Sequence, residues 1–238
     1  MFLFKPNGEE KFVASSDSML SELGIRLVTG RDFKRFKEIA SQVRPDHTVQ
    51  DPLNCDVADL DPKNAMWTIG YDAGGKVVFL QAMKVLQTGH GSVADYLGAH
   101  YADFLPERST IDLSKTRYRP GPGAMRMRGR IVYSGEFWLD GEMAKLRGSR
   151  LSNVLSRYVY LLALNELNPD YFIAFMLHGL CAKGVSFRTG WHHTEPHALR
   201  WQMKDTAQQL EGSMLYMSRD DILFSLDLPV SETGAIAA

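Results

Sequence analysis

The sequence lacks features that several classes of protein require. Its two cysteines, Cys55 and Cys181, are far apart and form no CxxC spacing, which argues against a disulfide framework and against a cysteine zinc knuckle. It also lacks a charge excess, since 27 basic and 28 acidic residues give a formal net charge of −1. Binding nucleic acid over the whole surface needs a clear basic excess, so that function is disfavoured, while a local basic patch stays open.

Long apolar runs are also missing. The longest, residues 158–164, is followed by Asn165 and Glu166 and is too short to cross a bilayer. The apolar run at the start of the chain is too short for a secretory signal. We therefore expect a protein without a membrane span in the reducing cytoplasm.

What is present suits a globular protein. The 238 residues, 45% of them hydrophobic, are enough to bury roughly 70% of the unfolded surface without disulfides or metals. We expect one domain over residues 25–226, an N-terminal extension over 1–24 and a flexible tail over 227–238.

Periodicity predicts the elements of the first half. Apolar residues from Phe33 onward recur at helical spacing, and this helix ends at Arg44 because the residue before a proline avoids the helical region. The following predictions are a long acidic loop over 46–64, a β-hairpin of strands 65–71 and 76–86, a helix over 94–105 and an irregular segment over 107–130. Residues 120–123, Pro-Gly-Pro-Gly, are predicted to exclude any regular element.

The second half predicts a βαβ unit. A strand over 131–139, a helix over 149–167 and an apolar strand over 171–177 place a parallel pair in one sheet with a right-handed connection. Later predictions are a helix near 178–188 and strand-like pieces at 213–218 and 222–226. The fold class is therefore α/β (α+β), a single domain with a central mixed, twisted sheet flanked by helices.

A cluster of cations lies where the helix over 149–167 begins. Helix N-termini with free N–H groups and flanking cations bind phosphate, and glycine lets the backbone approach closely. The alternative is a basic loop before an N-capped helix. The candidate cofactor-binding residues are Lys145, Arg147, Gly148, Ser149, Arg150 and Ser152.

The order of elements around this cluster resembles the core of the GNAT-type N-acyltransferases. Residues 147–152, Arg-Gly-Ser-Arg-Leu-Ser, are similar to the pyrophosphate-binding turn of that superfamily. Residues 182–191 resemble its helix that ends in an aromatic residue after glycine, and residues 215–223 resemble its C-terminal strand. The resemblance implies a GNAT-like fold and acyl-CoA or acyl-phosphopantetheine as co-substrate, without a metal.

A narrower resemblance is to acyl-homoserine-lactone synthases and long-chain N-acyl amino acid synthases, which take the acyl chain from acyl carrier protein. The acidic region 51–61, the hairpin 66–86, the stretch 101–105 (Tyr-Ala-Asp-Phe-Leu) and the strand 133–139 follow in the same order at similar spacing. Glu136 stands where those enzymes place a strand glutamate. The resemblance implies an amine acceptor and acyl carrier protein as a possible partner.

Glu136 is the first catalytic candidate. With the period-two alternation of a strand, it shares a face with Val132, Ser134 and Trp138. Burial among apolar neighbours makes a carboxylate a better base, so Glu136 is a candidate general base toward an amine, directly or through a water. The alternative is a strand glutamate on a solvated edge.

His178, after the strand over 171–177, is the second catalytic candidate. The cluster 192–197 holds three histidines and one glutamate. Adjacent histidines in a pre-proline loop rarely converge and no HExxH spacing occurs, so no metal site is predicted. Cys181 is either close to the thioester or an inert core residue.

Residues 115–130 hold six cations and no acidic residue. Such a run is either a solvated loop or a docking surface for an acidic partner, which would be acyl carrier protein, a CoA phosphate or nucleic acid. The candidate partner-binding residues are Arg126, Arg128 and Arg130.

Together, the residues and the resemblance predict a cytoplasmic N-acyltransferase that moves an acyl group from acyl-CoA or acyl carrier protein to a small-molecule amine. The thioester carbonyl is expected beside the strand over 131–139, polarised by backbone N–H groups, with the phosphates on the segment 145–152. One alternative is a non-catalytic acyl- or CoA-binding sensor or regulator of the same fold. A third is a nucleic-acid-binding protein that uses residues 115–130.

Overall fold

The computed structural model describes residues 8–106, 110–144, 151–228 and 230. The strands are β1 Arg26–Gly30, β2 Ala65–Tyr71, β3 Val77–Leu86, β4 Arg117–Tyr118, β5 Ile131–Leu139, β6 Tyr171–Leu177, β7 His193–Gln202 and β8 Gln209–Ser218. The helices are α1 Gly8–Glu22, α2 Phe33–Val43, α3 Val93–His100, α4 Pro122–Arg126, α5 Gly141–Ala144, α6 Leu151–Leu167, α7 His178–Ala182, α8 Val185–Arg188 and α9 Arg219–Leu226. In these residues no helix is both long and apolar enough to cross a membrane.

The strands form a single mixed sheet in the order β1-β2-β3-β5-β6-β8-β7-β4. Strands β5 and β6 pair in parallel, and the other neighbouring strands pair antiparallel. Helix α6 connects the parallel pair, as the βαβ pattern predicts. The predicted fold class, a mixed sheet flanked by helices, is confirmed.

Each face of the sheet packs against its own apolar cluster. Neighbouring residues of a strand point to opposite faces, so Leu80 of β3 lies in one cluster and Phe79 in the other. Phe36 of α2 and Leu97 of α3 join Leu80, and we call this side the α2 face. Tyr160 of α6 joins Phe79, and we call this side the α6 face.

Helix α2 forms as predicted. Asp32 is its N-cap, and the Asp32 carboxylate accepts the backbone N–H groups of Lys34 and Arg35. Phe33, Phe36 and Ala40 are buried one helical turn apart, and the helix ends before Arg44.

Two sequence predictions are wrong at short helices. Residues 120–123 do not exclude a regular element, because Pro122 begins helix α4. In the first turn of a helix the backbone N–H groups have no helical acceptor, so the N–H that proline lacks costs no hydrogen bond there. Residues 222–226 belong to helix α9 rather than to a strand. Ser218 and Asp221 form a reciprocal capping box at its N-terminus, which fixes the helix start.

Five further helices or strands were not predicted. Strand β4 lies in the segment 107–130 that was expected to be irregular, and α5 lies in the loop expected before α6. Strand β1 adds the edge next to β2, and β7 covers the histidine cluster expected to be a loop. Helix α1 lies within the stretch expected to be an N-terminal extension. Its Phe12 is buried against Leu161 of α6 and Leu226 of α9.

Candidate active site

The parallel ladder between β5 and β6 is short. It runs from the pair Ile131–Tyr171 to the pair Tyr133–Ile173. Beyond Tyr133, β5 continues to Leu139 in register with β3, and β6 continues to Leu177 in register with β8. The two strands therefore separate, and we call the opening between residues 134–139 and 174–177 the splay.

A β-bulge in β5 lies at the start of the splay. The register against β3 shifts between Leu80 and Ala82, and Glu136 takes the left-handed conformation with φ 56°. Gly135 permits the bend, because a Cβ at this position would lie 2.7 Å from Cδ1 of Leu53. The bulge turns Gly135 and Glu136 toward the same side of the sheet.

The predicted face of Glu136 is wrong for this reason. Val132 packs in the cluster on the α6 face, while Trp138 packs on the α2 face, where Glu136 also points. A period-two count across a bulge assigns the wrong face to the residues that follow it. Glu136 thus meets polar partners from the α2 side instead of the predicted apolar neighbours.

Three donors converge on the Glu136 carboxylate. Oε2 accepts Nη1 of Arg44 at 3.1 Å and contacts Nε2 of His47 at 2.8 Å. Oε1 accepts the backbone N–H of Gln50 at 2.9 Å. The Glu136 side chain is 1% exposed, against 21% for Arg44 and 27% for His47. The carboxylate is therefore a buried anchor with solvent-accessible partners.

The environment of the Glu136 carboxylate shifts the pKa values of two neighbouring groups, Arg44 and Tyr133. Burial lowers the pKa of Arg44, although the charge of Glu136 and its hydrogen bond act in the opposite direction. The Tyr133 hydroxyl donates to Oε1 of Gln50, which links Tyr133 to the same cluster. Burial raises the pKa of Tyr133 strongly, and the negative charge of Glu136 adds to this effect. Tyr133 is consequently a hydrogen-bond donor and not a base at neutral pH.

A second polar network supports β5 from the α6 face. Gln81, the β3 residue opposite the bulge, donates to Oγ of Ser134 at 2.9 Å. Burial raises the pKa of Tyr160, and its hydrogen bonds to Ser134 and Gln81 lower that pKa by a smaller amount. The bulge is thus held by side chains on both faces of the sheet.

The structure does not bring His178 to Glu136. His178 begins α7 at the far end of β6, where its Nδ1 lies 3.0 Å from Oγ of Ser213. Its ring lies 4.1 Å from that of His197, centroid to centroid. His178 therefore lies at the mouth of the splay, in a cluster separate from the Glu136 hydrogen bonds.

The candidate phosphate segment is described only at its end. Lys145, Arg147, Gly148, Ser149 and Arg150 lie outside the described residues. Ser152 lies in the first turn described for α6, and its hydroxyl is 3.4 Å from the carbonyl oxygen of Arg188. The phosphate-binding prediction stays a prediction.

The three candidate partner-binding arginines are exposed but differ in their contacts. Arg130 donates to the carbonyl oxygens of Leu167 and Lys63, and Arg128 donates to those of Met125 and Arg126. Arg126, in the last turn of α4, is exposed. The contacts of Arg130 and Arg128 stabilise the local backbone, and partner binding by the three arginines stays a prediction.

The histidine cluster is divided between two carboxylates. His192 and His193 face Asp221, while His197 faces Glu211 at 2.7 Å. Among the described residues, no group of three or more His, Cys, Asp and Glu side chains is arranged to hold a metal. The Cys181 thiol is partly exposed. Burial raises its pKa, and its hydrogen bonds to Ser213 and Ser186 lower that pKa by a smaller amount.

Arg44, His47 and Gln50 are site residues that the sequence alone did not predict. They lie at the end of α2 and in the loop that follows it. The available signal was the length of that loop, since long loops in compact domains are usually functional. Nothing local to Glu136 points to partners as many as 92 positions away.

Comparisons with known proteins give structural matches only. No family model matches the chain, and no curated protein matches it. A spermidine N-acetyltransferase from Vibrio cholerae is similar with a TM-score of 0.45 at 10% identity, covering 84% of this chain and 96% of that chain. An N-acyl amino acid synthase from uncultured soil microbes gives a TM-score of 0.42 at 10% identity, covering 83% and 93%. An N-acetyltransferase from Staphylococcus aureus Mu50 gives 0.42 at 10% identity, covering 82% and 97%.

Proposed function

We propose that this chain is an N-acyltransferase that moves an acyl group from a thioester to an amine. The observation that carries the proposal is the splay together with the bulge at its start. Strand β5 leaves its parallel partner after Tyr133, and Glu136 follows directly, buried and bonded to Arg44 and His47. An open strand edge beside a buried carboxylate combines a binding surface with a group that handles protons.

The splay suits a thioester bound to a pantetheine arm. Backbone N–H and C=O groups along the edges of the splay have no ladder partner across it and need hydrogen-bond partners. The amide groups of a pantetheine chain satisfy such edges in the way that an added strand does. A backbone N–H group aimed at the thioester carbonyl would stabilise the negative charge that develops on its oxygen.

The reaction at this site would proceed by direct transfer. The neutral amine attacks the thioester carbonyl, the new C–N bond forms, and the C–S bond breaks as the tetrahedral intermediate collapses. The amine must lose a proton and the departing sulfur must gain one. The cluster around Glu136 is the proton-handling site of the proposal, and Tyr133 supports it through Gln50.

The co-substrate is proposed to be acyl-CoA or acyl-phosphopantetheine on acyl carrier protein. Its phosphates would bind the segment 145–152, of which Lys145, Arg147 and Arg150 carry the charge. Each charge-assisted contact is worth about 1.5–3 kcal/mol, or roughly 10- to 100-fold in affinity. We expect Arg147→Ala with Arg150→Ala to weaken CoA binding by at least the lower of these factors.

The experiment is a thiol-release assay on the purified full chain. Acyl-CoA donors of increasing chain length and an acyl carrier protein donor are each combined with a panel of small amines, and mass spectrometry identifies the N-acyl product. We expect thiol release that depends on both donor and amine. Thermal stabilisation by donors without release in any pair would favour the non-catalytic sensor. The absence of both stabilisation and release would overturn the proposal. Nucleic-acid binding that weakens steeply with salt would then support the nucleic-acid-binding alternative.

A further inference from the structure

The Glu136 carboxylate is poorly placed to take a proton from a substrate directly. Its side chain is 1% exposed, and its two oxygens already accept from Arg44, His47 and the backbone of Gln50. With the side chain this buried, a substrate amine could reach the carboxylate only if neighbouring residues moved aside. The His47 imidazole, 27% exposed, is bonded to the same oxygen and is open to solvent.

The hydrogen bond fixes the state of the imidazole. A carboxylate is an acceptor only, so the ring nitrogen 2.8 Å from Oε2 must carry the hydrogen. In the neutral ring the lone pair then lies on Nδ1. Within the described residues, Nδ1 of His47 makes no hydrogen bond. This leaves a basic nitrogen oriented by a buried anion.

We propose that His47 is the catalytic base of the acyl transfer and that Glu136 is its positioning residue. The proposal rests on the proposed function and assigns the proton within it. The charged and titratable groups of this cluster are Glu136, Arg44 and, through Gln50, Tyr133. Lys84 stands opposite Tyr133 on β3, with its pKa lowered by burial.

In this step the proton moves from the amine to the sulfur by way of His47. As the amine nitrogen bonds to the acyl carbon, Nδ1 of His47 accepts the amine proton and the ring becomes a cation. Glu136 stabilises that cation through Nε2–H. When the C–S bond breaks, the cation returns the proton to the sulfur, which leaves as a thiol. No metal, oxidant or reductant takes part.

The kinetic test compares His47→Gln with His90→Gln. A glutamine amide replaces the Nε2–H donor to Glu136 but has no titratable nitrogen, so the fold is preserved. His90 is an exposed loop histidine and serves as the matched control. We expect His47→Gln to lower kcat by about 10²–10⁴-fold and to abolish the acidic limb of the pH–rate profile, while His90→Gln changes neither.

Glu136→Gln separates positioning from structure. A glutamine presents one acceptor oxygen where three donors converge, so it cannot satisfy Arg44, His47 and Gln50 together. ¹⁵N NMR of the imidazole should show the Nε2–H tautomer for His47 in the wild type and a mixture of tautomers in Glu136→Gln. This readout requires no substrate.

The outcomes separate the two proposals. Wild-type turnover with full activity and an unchanged pH profile in His47→Gln would overturn the role of His47 and leave the acyltransferase proposal standing. An Nδ1–H tautomer in the wild type would also overturn it. Absence of turnover with every donor and amine would overturn the proposed function itself. Loss of turnover in His47→Gln with a fixed Nε2–H tautomer supports both.

Discussion

Glu195 of β7 accepts a hydrogen bond from the backbone N–H of Gly123, in the first turn of α4. The second carboxylate oxygen lies 3.3 Å from the backbone nitrogen of Ala124. Glu195 is buried, and any side chain at Gly123 would collide with it and with the ring of Tyr216. One carboxylate thus links the Pro-Gly-Pro-Gly segment to strand β7 of the sheet.

Replacing Glu195 with Gln should destabilise the fold. The amide NH₂ would face backbone N–H donors and leave one of them buried without a partner, at a cost of about 1–3 kcal/mol. Urea denaturation followed by circular dichroism measures this difference, with Glu38→Gln on the exposed side of α2 as the control. Equal stability of the two variants would show that the tie contributes nothing.

Arg157→Met should loosen the C-terminal helix α9. The buried Arg157 guanidinium donates to the carbonyl oxygens of Ser225 and Leu228 and lies 4.4 Å from the ring centroid of Phe12. Methionine fills the space but donates no hydrogen bond, so the Leu228 carbonyl loses the guanidinium donor and the Ser225 carbonyl keeps the backbone N–H of Leu228. We expect a loss of about 1–3 kcal/mol, concentrated in α9.

Native-state hydrogen exchange is the measurement for this variant. Protection of the α9 amides should fall more than protection of the α2 amides, since α2 and α6 pack in different apolar clusters on opposite faces of the sheet. Arg35→Met, at an exposed position of α2, is the control. A uniform fall across both helices would contradict a local role for Arg157.

Alkaline pH should unfold the protein through its buried tyrosines. Burial raises the pKa of Tyr118, Tyr133 and Tyr160 above the ordinary value of 10.0. Above pH 10 the native state therefore holds protons that the unfolded state has released, so stability is present below that pH and lost as pH rises. Arg157, whose pKa burial lowers to about 10, acts in the opposite direction, as do Arg44 and Lys84, whose pKa values burial also lowers. Burial raises the pKa of Tyr96 and Tyr158 as well, so five tyrosines act against these three bases.

Tyr118→Phe provides the matched variant for the alkaline transition. The Tyr118 hydroxyl is buried and has no hydrogen-bond partner among the described residues. Its removal should leave stability at neutral pH equal or higher and should make the alkaline loss less steep. Tyrosinate absorbance and ellipticity should change together in the wild type. Ionisation of all tyrosines before any loss of ellipticity would contradict this account.

Two arginines of the basic segment 115–130 should have different roles, Arg126 in docking and Arg130 in stability. If acyl carrier protein docks here, Arg126→Ala should raise KM for the carrier-bound donor and leave a short acyl-pantetheine donor unchanged. The effect should vanish at high salt, because the Debye length falls from about 10 Å at 0.1 M to about 3 Å at 1 M.

Arg130→Ala should instead lower stability, since Arg130 donates to Leu167 at the end of α6. Thermal melts of the two variants, run beside the kinetics, separate the classes. A KM increase that is equal for both donors would place Arg126 in the active site rather than on a docking surface.

The sequence was sufficient for the centre of the fold. The apolar strands and the helix between them are long and strongly patterned, so β5, α6 and β6 were predictable from periodicity. Helix α9 was predicted as a strand because its apolar residues were considered alone. The signal for a helix was present, since Ser218 and Asp221 have capping-box spacing before an apolar run.

The candidate site was predictable only in part. Glu136 was found as a strand carboxylate, but its face depends on a bulge. Gly135 was the local signal for this bulge, because an isolated glycine inside a strand often marks one. His47, the partner that defines its chemistry, lies 89 positions away in a loop. Long-range contacts of this kind arise from tertiary packing and leave no periodic trace in the chain.

Strand β4 has a consequence for how the protein assembles on the ribosome. Strand β4 is synthesised before β5, yet its partner in the sheet is β7. Ile111, which precedes β4 in the chain, likewise bridges to Met203, which follows β7. Strands β1, β2 and β3 find their partners as they emerge, whereas β4 must wait until nearly the whole chain has been translated. A nascent chain stalled before β7 therefore holds an unpartnered strand, and closing this edge is a late, non-local step of folding.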